Sequence, residues 1–144
     1  MYVDTAYIAK YYLNEPESVA VRGLIGSADM VYSSVWALPE LHCVFHRHLR
    51  EGAITARAAR DLARLFLNHV DEGLWNLLPA GEQLLRRAGA IVISGSQGIF
   101  LRTADAVHLT TAKDLGEGEV WTNDRHMLAA ASHFGLMGRS VQAG

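Results

Sequence analysis

Short apolar runs alternate with longer amphipathic stretches along this chain. The amphipathic stretches repeat their apolar residues at the three- and four-residue spacing of a helix, whereas the short runs are typical of buried strands. The predicted strands are Tyr2–Val3, Met30–Tyr32, Trp75–Leu78, Val120–Thr122 and Ser140–Val141. The predicted helices cover approximately residues 6–13, 17–25, 35–51, 56–70, 81–93, 103–115 and 125–134. Strands that alternate with helices predict an α/β fold, with a mostly parallel central sheet covered on both faces.

Polar residues mark where several of these helices begin. Either Asp4 or Thr5 can cap the first helix, Thr55 can cap the fourth, and Asn123–Asp124 caps the last, because such side chains accept hydrogen bonds from free backbone N–H groups. Ser33 and Ser34 indicate a helix start in the same way. Two of the caps, Asp4 and Asp124, therefore stand directly between a strand and a helix.

Composition is that of one ordinary globular domain. The chain has 144 residues, half of them hydrophobic, so we predict a single domain over residues 1–144. A formal net charge of −2 means that any nucleic-acid binding depends on local arginines or bound cations. The single cysteine, Cys43, excludes an internal disulfide framework and fits a reducing cytoplasm. Neither a signal peptide nor a membrane-length apolar stretch is predicted.

One acidic residue falls in the apolar stripe of the sixth predicted helix. At about 100° per residue, Asp105 shares a face with Leu101, Leu109 and Ala112, whereas Asp114 falls on the opposite face. A carboxylate among apolar side chains is costly unless it is paired or binds a cation. The alternative, an acid that compensates the helix dipole, accounts for the first-turn position but not for the inward direction. We therefore predict a functional role for Asp105.

Glu40 is a second acid within an apolar helix. Its neighbours on the helix surface include Trp36 and Cys43, and the other side is apolar as well, which predicts a buried helix. A glutamate in such a pattern needs a partner. Arg47, one turn beyond, is one alternative, and a functional role in a shared site is the other.

Asp4 and Asp124 have a different pattern, since each taken singly is more typical of a helix cap than of a ligand. Sheets of this class nevertheless place their sites at the carboxyl ends of parallel strands, where both acids are predicted to lie. There they can converge with Asp105 and Glu40 on one crevice. Clustered carboxylates stay ionised together only with cations nearby, and their oxygens suit Mg²⁺ or Mn²⁺. Such ions support phosphodiester cleavage without a nucleophilic side chain.

The segments that carry these acids resemble the acidic motifs of PIN domains. They come in the order found in that family and span essentially the whole chain, and the run LRTADAVHL is the most specific. The segments are Val3–Ala6, Ser33–Leu41, Leu101–Leu109 and Val120–Asp124. Within the family, the chain is most similar to the VapC toxins of toxin–antitoxin pairs. The resemblance implies a PIN-like three-layer α/β/α sandwich with a mostly parallel central sheet.

The resemblance also implies a site and an activity. The catalytic and metal-binding acids would be Asp4, Glu40, Asp105 and Asp124, with Thr5, Thr122 and Asn123 orienting ligands or water. The implied activity is a cytoplasmic, Mg²⁺- or Mn²⁺-dependent endoribonuclease that cuts transfer or ribosomal RNA. The implied partners are RNA, a cognate VapB-like antitoxin whose tail blocks the crevice, and a second copy of the chain in a homodimer. The stretch Gly98–Phe100 is longer than usual for the family, which affects loop shape and substrate access.

Histidines offer competing interpretations. His42 and His46 share a helix face at a spacing that suits zinc, but Glu40 lies on the opposite side, so packing is the simpler explanation. His108 borders the predicted crevice, where it either packs in the core or contacts RNA.

Two alternatives to the enzyme stay open at the level of sequence. One is a catalytically silent PIN-fold module that binds RNA or a protein, although such a module need not keep all four acids. The other is a DNA-directed nuclease of related fold. The fourth helix carries a basic stripe of Arg57, Arg60 and Arg64. This stripe either contacts RNA or an acidic protein partner, or it is an ordinary solvated helix face.

Overall fold

The computed structural model describes residues 1–142, which form seven α-helices and four short strands. The helices are α1 (Thr5–Tyr12), α2 (Ser18–Gly26), α3 (Ala37–Arg50), α4 (Ala56–Asp71), α5 (Glu82–Ile93), α6 (Thr103–Leu115) and α7 (Arg125–Ala130). A 3₁₀ turn over Ala131–Phe134 continues α7. The strands are β1 (Tyr32–Ser34), β2 (Asn76–Leu78), β3 (Glu119–Trp121) and β4 (Met137–Arg139). No helix within residues 1–142 has the length and apolar character of a membrane span.

The start of the chain joins the strands into one parallel array. Tyr2 bridges to Tyr32 of β1 and Val3 bridges to Trp121 of β3, both in parallel. β1 also pairs with β2, and β3 with β4, again in parallel. The order across the array is therefore β2, β1, residues 2–3, β3 and β4. Parallel neighbours require crossover connections, which the helices supply.

Two apolar clusters cover the opposite faces of this array. Val3 belongs to a cluster with residues of α1–α4, and Tyr2 belongs to a cluster with residues of α5–α7. Successive residues of an extended chain point to opposite faces, so the two clusters lie on opposite sides of the sheet. The predicted three-layer α/β/α arrangement with a parallel central sheet is confirmed. Large, fully buried aromatic side chains fill both clusters, among them Trp75, Phe66 and Phe134.

The helix-start signal predicted at Ser33 and Ser34 lies before the helix itself. Both serines belong to β1 and are fully buried, and α3 begins at Ala37. The Ser34 hydroxyl nevertheless accepts from the Trp36 backbone N–H at 3.1 Å, at the turn that leads into α3. The Ser33 hydroxyl donates to the backbone oxygen of Val3 at 2.8 Å. A buried hydroxyl with a partner inside the sheet costs little, so these serines are tolerated in a central strand. Met30, predicted as the start of this strand, lies before it.

The last strand also differs from the prediction. It is formed by Met137–Arg139, and Ser140–Val141 lies after it. β4 is an edge strand that pairs on one side with β3, and Met137 and Arg139 are both exposed. An exposed edge strand needs no apolar run, so the hydrophobic pattern carried no signal for it.

The fold brings two strand ends to one edge of the sheet. Asp4 directly follows the central residues Tyr2 and Val3, and Thr122 directly follows β3, which is parallel to them. Glu40 enters from α3, which follows β1. The carboxyl edge of the sheet is thus where the predicted acids meet.

Packing at the edge strand generates a stability prediction. A Cβ atom added at Gly138 would lie 2.9 Å from Leu128 Cδ2 and 3.3 Å from Leu128 Cα. We expect Gly138→Ala to lower the free energy of unfolding in urea by about 1–3 kcal/mol, because the close backbone of α7 must shift. Gly89→Ala in α5, where an added Cβ meets nothing within 4 Å, should instead raise it by roughly 0.5–1 kcal/mol. Equal stabilities of the two variants would contradict this packing.

Candidate active site

All four predicted acids line one open cavity of about 570 Å³ at the carboxyl edge of the sheet. Each acid lies at the N-terminus of a different helix. Asp4 and Asp124 are the N-caps of α1 and α7, and Glu40 and Asp105 lie in the first turns of α3 and α6. The positive end of a helix dipole favours negative charge, so four helix ends help to stabilise the carboxylates there.

Asp4 is the most enclosed of the four, with 4% of its surface exposed. One carboxylate oxygen accepts from the Tyr7 backbone N–H at 2.9 Å, and the other accepts from the Thr122 hydroxyl at 2.5 Å. Burial raises the pKa of Asp4 despite these hydrogen bonds, since water no longer solvates the charge. The ionised form of Asp4 therefore gains from a cation in the cavity.

Asp124 has a more favourable environment for its charge. Its Oδ1 accepts from the backbone N–H groups of His126 and Met127 at 2.7 and 3.0 Å, and its Oδ2 accepts from Arg102 at 2.7 Å. Burial acts to raise the pKa of Asp124, but the two backbone hydrogen bonds and the positive charge of Arg102 outweigh it, and the pKa is lowered. Asp124 is therefore ionised at neutral pH.

Arg102 connects two of the acids. Its Nε donates to Asp105 Oδ2 at 3.0 Å, and its terminal nitrogen donates to Asp124 Oδ2 at 2.7 Å. The backbone N–H of Arg102 also donates to Asp105 Oδ2, at 3.2 Å, as in a helix capping box. Hydrogen bonding to Asp105 and the charges of both carboxylates raise the pKa of Arg102 further. The sequence prediction missed this residue, although its position three residues before Asp105 matches capping-box spacing.

Glu40 is held by a buried histidine. Its Oε1 accepts from Nε2 of His108 at 2.7 Å and from the Thr5 hydroxyl at 3.0 Å. The other ring nitrogen of His108 lies 2.8 Å from the Tyr2 hydroxyl, whose pKa is raised by burial. A protonated phenol can donate to Nδ1, and Nε2 then carries the proton that Glu40 accepts. His108 thus packs in the core and also fixes a carboxylate of the cavity.

The structure excludes the Arg47 alternative for Glu40, and the prediction of a buried α3 was wrong. Arg47 lines the cavity, but within residues 1–142 it forms no ion pair with Glu40, whose partners are His108 and Thr5. α3 is also amphipathic rather than buried all round, since Cys43 is exposed. Trp36 and Val44, on the side of α3 that carries Glu40, are partly exposed and line the cavity. Apolar residues therefore occur on a face of the helix that is not buried in the core.

The three predicted orienting residues separate into two groups. Thr5 and Thr122 contact Glu40 and Asp4, respectively. Asn123 does not line the cavity; its side-chain oxygen accepts from the Tyr7 hydroxyl at 2.6 Å. Asn123 therefore holds Tyr7 by a hydrogen bond and does not contact the acids, whereas both threonines do.

The oxygen donors of the cavity suit a divalent cation in kind, because Mg²⁺ and Mn²⁺ prefer carboxylate oxygens. The guanidinium group of Arg102 already places one positive charge between Asp105 and Asp124. This arrangement supports the view that the two carboxylates can bind a metal cation. In residues 1–142, no three His, Cys, Asp or Glu side chains are gathered closely enough to hold a metal ion. The carboxylates must therefore adjust, and Arg102 must move, for three or more of them to share one ion.

The remaining candidates lie outside the cavity. His42 and His46 are exposed on α3, and Nδ1 of His42 donates to the Leu38 oxygen at 2.6 Å. The described part of the chain offers no third ligand that would make them a zinc site. Arg57 and Arg64 lie near Asp61 on the exposed face of α4.

Comparisons with known proteins show what this chain is similar to. A model of the PIN domain matches residues 1–132. The chain is 33% identical to Ribonuclease VapC46 of Mycobacterium tuberculosis (strain ATCC 25618 / H37Rv) over 138 residues, which is 94% of this chain and 93% of that protein. The crystal structure of Mycobacterium tuberculosis VapC20, described as a sarcin-ricin loop cleaving toxin, superimposes with a TM-score of 0.71 at 18% identity. That superposition covers 90% of this chain and 93% of VapC20 and shows a shared fold.

The chain therefore belongs to the PIN domain family. Within that family it is VapC-like, since its similarity to Ribonuclease VapC46 extends over nearly the full length of both chains.

The burial of Asp4 generates a prediction about pH and stability. Because its pKa is raised in the folded state, the native protein binds this proton more readily than the unfolded chain does, and stability falls as pH rises between the two pKa values. Asp4→Asn keeps a good helix cap and removes the buried charge. We expect it to raise the free energy of unfolding of the metal-free protein at neutral pH by roughly 0.5–2 kcal/mol. The gain should shrink as pH falls towards the ordinary aspartate pKa.

Asp114→Asn is the matched control, because Arg87 lowers the pKa of Asp114 by hydrogen bonding. Its stabilising effect is present at neutral pH and lost as pH falls, so its removal should change stability in the opposite direction. Urea denaturation in EDTA at neutral and acidic pH measures both. If Asp4→Asn lowered the free energy of unfolding of the metal-free protein at neutral pH, the buried charge of Asp4 would not destabilise the fold, and the prediction would be wrong.

Proposed function

We propose that this chain is a divalent-metal-dependent endoribonuclease of the VapC type, the toxin half of a toxin–antitoxin pair. The observation that carries the proposal is the convergence of four carboxylates from four helix N-termini on one cavity. Family membership and the similarity to a protein named as a ribonuclease support it. We further propose that residues 1–144 form a single PIN domain, since the family match and both apolar clusters extend over most of the chain.

The residues proposed to hold Mg²⁺ or Mn²⁺ are Asp4, Glu40, Asp105 and Asp124. A divalent cation bound to them supplies Lewis-acid activation of water and charge stabilisation at the leaving oxygen. The chain itself orients the donors. Each carboxylate accepts at least one hydrogen bond that fixes its plane, and the cavity is open on one side, which admits a phosphodiester.

The cavity lining and an exposed aromatic ring near it in sequence offer contacts for RNA. Arg47 and Arg102 line it and provide local positive charge despite the net charge of −2. Phe100 is 57% exposed, and its ring lies 4.6 Å from the ring of His126, close to Asp124 in sequence. An exposed aromatic ring suits stacking with an unpaired base. The substrate class we propose is therefore structured RNA with unpaired bases, such as transfer or ribosomal RNA.

The proposed partners follow from the same assignment. A VapB-like antitoxin would bind the chain and block the cavity, and two copies would form a homodimer in the cytoplasm. The alternative function is a PIN-fold module that binds RNA or a protein without cutting it. The four acids favour the enzyme, because a binding module has no need for repelling carboxylates in one cavity.

Cleavage of total cellular RNA by the purified chain tests the proposal. We expect discrete fragments with Mn²⁺ or Mg²⁺ and none with EDTA. Asp105→Asn should reduce the cleavage rate at least about 100-fold, because it removes a charged ligand from the metal site. Asp114→Asn is the matched control on the same helix, since Asp114 pairs with Arg87 away from the cavity and should leave the rate unchanged.

Three other results would contradict the enzyme. Folded, metal-loaded protein that binds RNA without cutting it would establish the binding module instead. Cleavage that survives both EDTA and Asp105→Asn would show that the activity does not come from this cavity. Cutting of single-stranded DNA in preference to RNA would establish a DNA-directed nuclease.

A further inference from the structure

Arg102 occupies an unusual position for a residue outside the acid set. Its guanidinium group donates to Oδ2 of Asp105 and to Oδ2 of Asp124, and it lines the same cavity. Arg102 is the residue just before α6, and its side chain reaches Asp124 at the start of α7. One cation thereby bridges two carboxylates and offsets their mutual repulsion.

We propose that Arg102 and the divalent cation bind the same two carboxylates in turn, and that Arg102 becomes a phosphate-binding residue once the metal displaces it. This inference rests on the proposed function, because it assumes that the cavity binds a divalent metal ion and RNA. It assigns a role to a residue that does not belong to the four-acid set.

Arg102 and a divalent cation compete for the same oxygen atoms. Arg102 engages one oxygen of each carboxylate, Asp105 Oδ2 and Asp124 Oδ2, and both acids line the cavity. While Arg102 bridges them, no three acidic or histidine side chains in residues 1–142 are close enough to share an ion. A metal that uses both acids must therefore displace the guanidinium group from at least one of them.

The Arg102 side chain is free to move. Its side chain is 60% exposed, whereas that of Asp105 is 9% exposed. Exposed ion pairs are weak, so a divalent ion can outcompete this one. The buried carboxylate keeps its place after Arg102 leaves, because the backbone N–H of Arg102 still donates to Asp105.

The Arg102 side chain, once released, is suited to bind phosphate. A guanidinium group has a planar fork of donors that matches phosphate as well as carboxylate. Arg102 remains anchored beside the cavity, next to the acids that are proposed to hold the metal. A phosphodiester that enters this cavity is therefore within reach of a cation that has just lost its carboxylate partners.

These steps predict opposite effects of one substitution on two ligands. Arg102→Gln removes the competitor, so metal-free protein should bind Mn²⁺ about tenfold more tightly, as expected if one charged hydrogen bond no longer has to be broken. The same variant lacks the phosphate contact, so it should bind RNA more weakly, again by about tenfold. A purely structural role for Arg102 would weaken both or change neither.

The chain provides a closely matched control. Arg87 and Asp114 form a bidentate pair with both distances at 2.6 Å, and neither residue lines the cavity. Arg87→Gln removes the same charge from a comparable pair, so it should leave both affinities unchanged. Arg102→Lys keeps the charge but not the fork, and should bind Mn²⁺ more tightly than the wild type but less tightly than Arg102→Gln.

Isothermal titration of the metal-free proteins with Mn²⁺ measures the first affinity. Fluorescence anisotropy of a labelled single-stranded RNA in Ca²⁺, which has the same preference for oxygen ligands, measures the second. Tighter Mn²⁺ binding and weaker RNA binding by Arg102→Gln, with both affinities unchanged in Arg87→Gln, would support the inference.

Unchanged or weaker Mn²⁺ binding by Arg102→Gln would overturn the inference and leave the proposed ribonuclease intact. Wild-type affinity in Arg102→Lys would mean that charge repulsion alone acts, which also overturns the exchange. Unchanged RNA binding by Arg102→Gln would overturn the phosphate-binding role. Absence of Mn²⁺ binding by every variant would overturn both the inference and the proposed metal dependence.

Discussion

Carboxylates gathered at one edge of a sheet repel one another, and the local structure of the cavity is arranged around that repulsion. Each of the four acids lies at a helix N-terminus, where the dipole and free backbone N–H groups favour negative charge. Hydroxyl and imidazole donors hold Asp4 and Glu40, and Arg102 lies between Asp105 and Asp124. Negative charge is thus concentrated in the cavity at a tolerable energetic cost, and a cation lowers that cost further.

The parallel sheet explains why the acids can meet although they are far apart in sequence. The central residues Tyr2 and Val3 bridge to β1 and β3, so the segments that follow them emerge at one edge. Tyr2 and Val3 also point into opposite apolar clusters, which ties the position of Asp4 to the packing of both helical layers. The same short segment therefore anchors the core and presents the most buried acid.

Much of this could be predicted from sequence, because its signals are local. The helical period placed Asp105 on an inward face and Asp114 outside, and the structure agrees. Strand–cap–helix order placed Asp4 and Asp124 at strand ends. Side-chain partners were not predictable in this way. Arg102 contacts Asp124, which lies 22 residues further along the sequence, and His108 contacts Glu40, which lies 68 residues away in sequence. Such contacts depend on how helices pack, which the periodicity of a single helix does not record.

Locating the metal in a crystal is the decisive test of whether these carboxylates form a cation site that Arg102 now closes. Crystals of the protein soaked in Mn²⁺ would be measured for anomalous scattering. We predict a manganese peak between Asp105 and Asp124, with Asp4 or Glu40 as a further ligand and the Arg102 side chain turned away from at least one carboxylate. A cavity without manganese, and with Arg102 still bridging both acids at Mn²⁺ concentrations that support RNA cleavage, would show that the carboxylates do not form this site.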